Sequence, residues 1–249
     1  MYVSASTSCF PDSSLAEAIE FAMDLEFTCI QIPFDDRLPQ LHTERLETEF
    51  DECLRLVRDT HRLDICAYDV FIDLPRPAYY DRFKLICQFA KATKVVTLAV
   101  PSAELGTPFN EEVEHLQKLV DIAETEGVRV GMKSQAGCLT EDPDTVKVLC
   151  DNVHGLGLAF DPSHYHITNH RNKNLDKIMK YVFLVNLRDS KKDQLQVRIG
   201  QGELEYGKYI TMLQRVGYDQ ALNVDMRPAD GFDMRQEMRK LRLLLESML

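Results

Sequence analysis

Asp161 and His164, in the segment FDPSH, stand directly after an apolar run, where a carboxylate and an imidazole can act on the same proton. An aspartate at such a turn accepts backbone hydrogen bonds or holds a cation, and a histidine beside it titrates near neutral pH. Further polar residues fall at equivalent places past other apolar runs. They are Gln31 and Asp35, Tyr68 and Asp69, then Lys133, Ser134 and Gln135, then Asn186, Arg188 and Asp189, and finally Asp225 and Arg227. Arg188 and Arg227 either hold a substrate carboxylate or phosphate through paired N–H donors or tie the rim together as salt bridges. His166 and His170, in HYHITNH, read as solvated loop residues and imply no second metal cluster.

The elements that must position these residues are eight apolar runs, each followed by a helical pattern. The runs are Tyr2 to Ser6, Cys29 to Pro33, Asp64 to Val70, Val95 to Val100, Val128 to Met132, Leu156 to Phe160, Val182 to Leu187 and Leu222 to Asp225. Helix starts are signalled by Asp12-Ser13-Ser14, Thr43, Asn110-Glu111-Glu112 and Thr140 to Pro143. No G-x-G-x-x-G follows the first run, so the alternation fits one closed (β/α)8 TIM barrel over residues 1–249 better than an open sheet. In such a barrel the chemistry lies at the carboxyl ends of the strands, where the polar residues above fall. The loop IGQGELEYG reads as a shaped turn with Glu203 and Glu205 toward solvent or the next helix, and LRLLLESML as a core-facing last helix.

Composition narrows the function classes. With 40 acidic against 29 basic residues the net charge is -11, which repels phosphate backbones, so nucleic acid is not an expected partner. The 7 cysteines are scattered without a C-x-x-C pair, which argues against a disulfide framework or zinc knuckle. No apolar stretch is long enough to span a bilayer and no secretory leader is evident, so a cytoplasmic protein with no membrane partner is expected.

The segments GLGLAFDPSH (Gly155 to His164), VNLRDS (Val185 to Ser190) and GQGELEYG (Gly200 to Gly207) resemble, in order and spacing, the sugar phosphate isomerase/epimerase family of xylose-isomerase-like TIM barrels. The resemblance implies a divalent cofactor, Mn, Mg or Zn, held by Glu on strand five, Asp on strand six, His on strand seven and Glu on strand eight. At the matching positions this chain has Lys133, Asp161, Asn186 and Asp225, so only Asp161 is identical. The expectation is a degenerate metal site in which Asp161 and Asp225 hold an ion weakly or not at all. The Lys133 ammonium then lies at the ion seat, neutralised by Asp161 and Asp225.

On this reading the protein acts on a small carbohydrate or polyol as an isomerase- or epimerase-like acid/base catalyst. His164 is the proton-transfer group, with Lys133, Asp161 and Asp225 around it, and Asn186, Arg188, Arg227 and Gln135 bind substrate. The alternative is a non-catalytic carbohydrate-binding or scaffolding barrel. The DNA-repair branch of the family would need more His and Glu ligands and a basic face, which this sequence does not have. Substrate identity and oligomeric state are left open.

Overall fold

The computed structural model describes all residues, 1–249. Eight strands form a closed, all-parallel barrel. They are β1 (Tyr2–Ser6), β2 (Cys29–Asp35), β3 (Asp64–Phe71), β4 (Thr97–Val100), β5 (Arg129–Lys133), β6 (Gly157–Phe160) and β7 (Val182–Leu187), and last, after the hairpin strands β8 (Asp189–Lys191) and β9 (Gln194–Val197), β10 (Ala221–Val224). β10 pairs with β7 on one side and β1 on the other, Leu222 opposite Val185 and Val3 opposite Leu222, which closes the ring. The expected fold class is therefore observed. The expected runs match the barrel strands to within about two residues; β4, for instance, begins at Thr97 rather than Val95.

Local signals explain where helices begin. Ser14 caps Leu15–Asp24 with a complete capping box: the Glu17 carboxylate accepts from the Ser14 N–H at 2.9 Å and the Glu17 N–H donates to the Ser14 hydroxyl. Asp142 caps Pro143–Asn152 by accepting the Asp144 N–H. Thr43, expected as a helix start, instead donates its N–H and hydroxyl to Asp36, and the short helix begins at Arg45. The last helix, Met234–Glu246, buries Met238, Leu241 and Leu245 against the barrel as expected.

Period-two alternation divides each strand between two layers. Outward residues such as Ile32, Phe34, Tyr68, Leu98, Met132, Leu158, Phe160, Val185 and Val224 join one apolar core of 64 buried residues between strands and helices. Inward apolar residues are mostly alanines, and Ala67, Ala99, Ala159 and Ala221 form a separate cluster with Leu184 inside the barrel. One step further along the same faces come Asp69, Lys133, Asp161, Asn186 and Asp225, at the carboxyl mouth.

Candidate active site

The mouth is a cavity of about 300 Å³ lined by Asp69, Lys133, Ser134, Gln135, Asp161, His164, Asn186, Arg188, Asp225 and Arg227, with Arg37, Phe71, Pro101 and Leu195 at its walls. All eight residues expected at the site are thus brought to one pocket. Asp161, Asn186, Arg188 and Asp225 are buried, while Arg227 is exposed at the rim.

The charges pair differently from the expectation. Arg188 lies between the two buried carboxylates, with Nη2 3.0 Å from Asp161 Oδ2 and 3.0 Å from Asp225 Oδ2. Lys133, expected between those aspartates, instead forms its ion pair with Asp69. The reason is the strand period. Arg188 follows Asn186 by two residues and reaches the mouth between β6 and β10, whereas Lys133, on β5, faces β3 across the cavity. Burial works against charge on Asp225, but the positive charges of Arg188, Arg227 and Lys133 outweigh it and hold that carboxyl below its usual range. Burial likewise works against the Arg188 guanidinium, and Asp161 and Asp225 together keep it firmly protonated.

Asp161 is fixed from its other oxygen. Oδ1 accepts from the Ser163 N–H at 2.9 Å and the Ser163 hydroxyl at 2.5 Å, so the expected strand-end turn is formed while Oδ2 is left to Arg188. Asp225 also accepts from the Ser8 hydroxyl at 3.3 Å.

His164 sits with Nε2 3.8 Å from Asp161 Oδ2, and its Nδ1 accepts the Ala136 N–H at 3.1 Å. That backbone donor fixes the tautomer: the neutral ring carries its hydrogen on Nε2, toward Asp161. Burial pushes the imidazole pKa down, against the pull of Asp161, so the ring is neutral at physiological pH.

Below the mouth, Asn223 joins three partners inside the barrel. Its amide nitrogen donates to Gln31 Oε1 at 2.6 Å and to Asn186 Oδ1 at 3.0 Å, and its oxygen accepts from the Ser4 hydroxyl at 3.0 Å. Asn186 is thereby held from beneath, which leaves its amide nitrogen for the cavity.

Other residues singled out in the sequence lie elsewhere. Tyr68 points outward into the main core, donating its hydroxyl to Thr93 Oγ1 at 2.8 Å, because it alternates with the inward Asp69. Asp35 is occupied by Arg37, which donates from Nε at 2.8 Å and Nη2 at 2.6 Å. Asp189 turns to the GQGE loop and accepts the Gly200 and Gly202 N–H groups, both at 2.9 Å. His166 stands 3.2 Å from Glu203, and His170 lies 3.6 Å from Glu141. Neither borders the cavity.

Sequence reasoning missed the β8–β9 hairpin, whose Leu195 walls the cavity and whose Gln196 clamps the Arg227 backbone by accepting its N–H at 2.7 Å and donating to its carbonyl at 2.6 Å. The alternation of QLQV was the available signal. It also passed over Asp69 as a partner of Lys133, and Arg37.

Residues 19–244 match the model of the xylose isomerase-like TIM barrel family. The chain belongs to that family. Several solved structures of the xylose isomerase-like fold superpose over nearly its whole length. A D-tagatose 3-epimerase-like protein is 17% identical with a TM-score of 0.77, over 100% of this chain and 98% of the other. A xylose isomerase domain protein from Planctomyces limnophilus is 20% identical with a TM-score of 0.75, over 100% and 95%. A 3-keto-D-glucoside 4-epimerase from E. coli is 13% identical with a TM-score of 0.76, over 99% of each. At these identities the likeness shows the shared fold. No match was found among curated proteins. As in other barrels of the xylose isomerase-like kind, the polar residues gather at the carboxyl ends of the strands. No helix is long and apolar enough to cross a membrane.

Proposed function

We propose that this protein catalyses proton transfer next to the carbonyl of a small polyhydroxylated substrate, an isomerisation or epimerisation, and that it does so without a resident divalent ion. The observation that carries the reading is the composition of the mouth: paired charges, a half-buried histidine with its hydrogen on Nε2, and amide donors around one cavity of substrate size.

The residues do not fit a divalent ion. Asp161 and Asp225 share a guanidinium, the two remaining family ligand positions carry an ammonium at Lys133 and an amide at Asn186, and no group of three or more His, Cys, Asp or Glu side chains is spaced to hold a metal. A dication there would meet two positive charges at close range in a low-dielectric pocket.

The chain's own groups supply the parts of an enediolate reaction. Asp69 is the carboxylate placed to accept a carbon-bound proton: Lys133 is its one charged partner, whereas Asp161 and Asp225 are each held by Arg188 and by serine donors as well. The C–H bond breaks, its proton passes to Asp69, and the electron pair moves onto the carbonyl oxygen. His164, with hydrogen on Nε2, donates a hydrogen bond to that oxygen, while Lys133 offsets the charge as Asp69 gains the proton. Return of the proton to the neighbouring carbon, as that carbon's hydroxyl proton passes to the former carbonyl oxygen, gives an isomer; a solvent proton delivered to the original carbon from the opposite face, with Asp69 releasing its own proton to solvent, gives an epimer. Asn186, Gln135 and Arg227 bind hydroxyls or an anionic group around the ring.

Exchange of substrate hydrogen for solvent deuterium tests this, on a panel of ketoses and inososes in metal-stripped buffer. Wild type should exchange, and Asp69→Asn and His164→Ala should each lose on the order of 10²–10⁴-fold while remaining folded. Exchange that disappears with a chelator and returns with manganese would overturn the reading.

A further inference from the structure

We infer that Arg188 is the built-in replacement for the divalent ion: its guanidinium occupies the seat between Asp161 and Asp225, locks both carboxylates in place, and presents a fixed cation to the substrate oxygen. This deepens the proposed reading of the same pocket, and its test reads metal binding, so either can fail alone.

Three observations carry it. The first is geometric. One nitrogen, Nη2, lies 3.0 Å from a carboxylate oxygen of each aspartate, bridging the pair as a single cation would. The second is chemical. Arginine stays protonated even when buried, as Arg188 is at 5% exposure, so the seat carries a positive charge at every working pH. A lysine could lose its proton there, and a weakly held ion could leave. The third concerns hydrogen bonds. Arg188 Nε is buried without a partner, which leaves an N–H donor at a residue lining the cavity. A substrate oxygen that gains negative charge would satisfy it.

The charge balance agrees. Two carboxylates around one guanidinium leave a cluster near -1, and Lys133 with Asp69 forms a neutral pair beside it. A dication in addition would bring the cluster to +1, and the one other carboxylate of the cavity, Asp69, is already paired with Lys133.

Titration calorimetry of the wild-type protein with manganese and with zinc is expected to show no site tighter than about millimolar, and metal analysis of the purified protein to find no stoichiometric ion. Arg188→Ala frees both carboxylates and should gain at least about 100-fold in metal affinity, with a melting temperature that rises by about 5–10 °C at saturating metal while the wild type is unmoved. If the alanine variant folds only when metal is present, that is the same result. Where it fails to fold at all, Arg188→Gln keeps N–H donors for the carboxylates and takes its place in both measurements.

Lys133→Glu with Asn186→His separates the two cations at the mouth. With Arg188 still in the seat, this double variant should bind metal no better than about tenfold over wild type, whereas adding Arg188→Ala to it should produce a tight site. Tight metal binding by the wild type, tight binding by the double variant with Arg188 intact, or a folded Arg188→Ala or Arg188→Gln without gain would each overturn the inference.

Discussion

The two faces of the barrel strands solve opposite problems. The outward face is filled by large side chains, with Phe34 and Tyr68 meeting each other and Phe89 of the covering helix Ala78–Thr93 edge-on or tilted at 5.0–5.9 Å between ring centroids, and this layer carries the burial that stabilises the fold. The inward face is lined by alanines below and by hydrogen-bonded or ion-paired groups above. Stability and chemistry therefore lie on alternate residues of the same strand: Tyr68 beside Asp69, Met132 beside Lys133, and Leu187 beside Arg188. A substitution should consequently act on one property or the other according to its parity.

The strongest test of that division is Phe89→Ala. Phe89 is fully buried and packs against Phe34, Tyr68 and Phe50, so truncation should cost about 3–5 kcal/mol and lower the melting temperature by roughly 10 °C. Ligand affinity of the protein that remains folded should change by less than about twofold. A parallel loss of affinity in calorimetry would show that the outward face also shapes the mouth.

Asn223→Ala probes the inward face. It removes donors from Gln31 and Asn186 and the acceptor from Ser4, leaving buried polar groups unsatisfied at a cost of about 2–3 kcal/mol. Because Asn186 lines the cavity, this variant should also weaken substrate binding, by roughly tenfold. Denaturant midpoints and binding measured side by side give the contrast with Phe89→Ala. An inward substitution that alters stability alone would break the comparison.

A smaller effect is expected at Gly202, outside both layers. A Cβ there would fall inside the Asp189 carboxylate, which accepts the Gly200 and Gly202 N–H groups. Gly202→Ala should cost about 1–2 kcal/mol, and hydrogen exchange should show protection lost at Gly200 and Gly202 but kept at the barrel strands.

How much of this was legible in the sequence follows from the same parity. The barrel was, because eight apolar runs alternating with capped helices leave few other folds, and outward residues such as Ile30, Ile32 and Phe34 announce themselves. The membership of the mouth was also legible, since polar residues at strand ends have few other places to go. The pairing was not. Whether Asp161 and Asp225 take Lys133 or Arg188 depends on side-chain reach across the barrel between strands distant in sequence, and no spacing along the chain encodes that. Tyr68 was misplaced as a mouth residue for want of one step of register. The tautomer of His164 is set by a single backbone donor, Ala136, which only the folded loop brings near.

The mildest prediction concerns pH and lies on the helical sheath, far from the paired charges of the mouth. His115, on the helix Phe109–Thr125, is pushed down to about 4, first by burial and then by the charge of Arg76, and its Nδ1 lies 3.1 Å from the Tyr80 hydroxyl, with Tyr79 against the ring. The unfolded chain takes up a proton near the ordinary value of about 6.5, and the folded chain does not. Stability should therefore fall as pH drops from about 6.5 toward 4 and level off below that, where both states are protonated at this site. Because the ring is only partly buried, solvent screening reduces the loss to about 1 kcal/mol. His115→Gln has no such proton to gain, so its denaturation midpoint should change less than that of wild type between pH 7 and pH 5. Equal changes in the two proteins would place the acid sensitivity elsewhere.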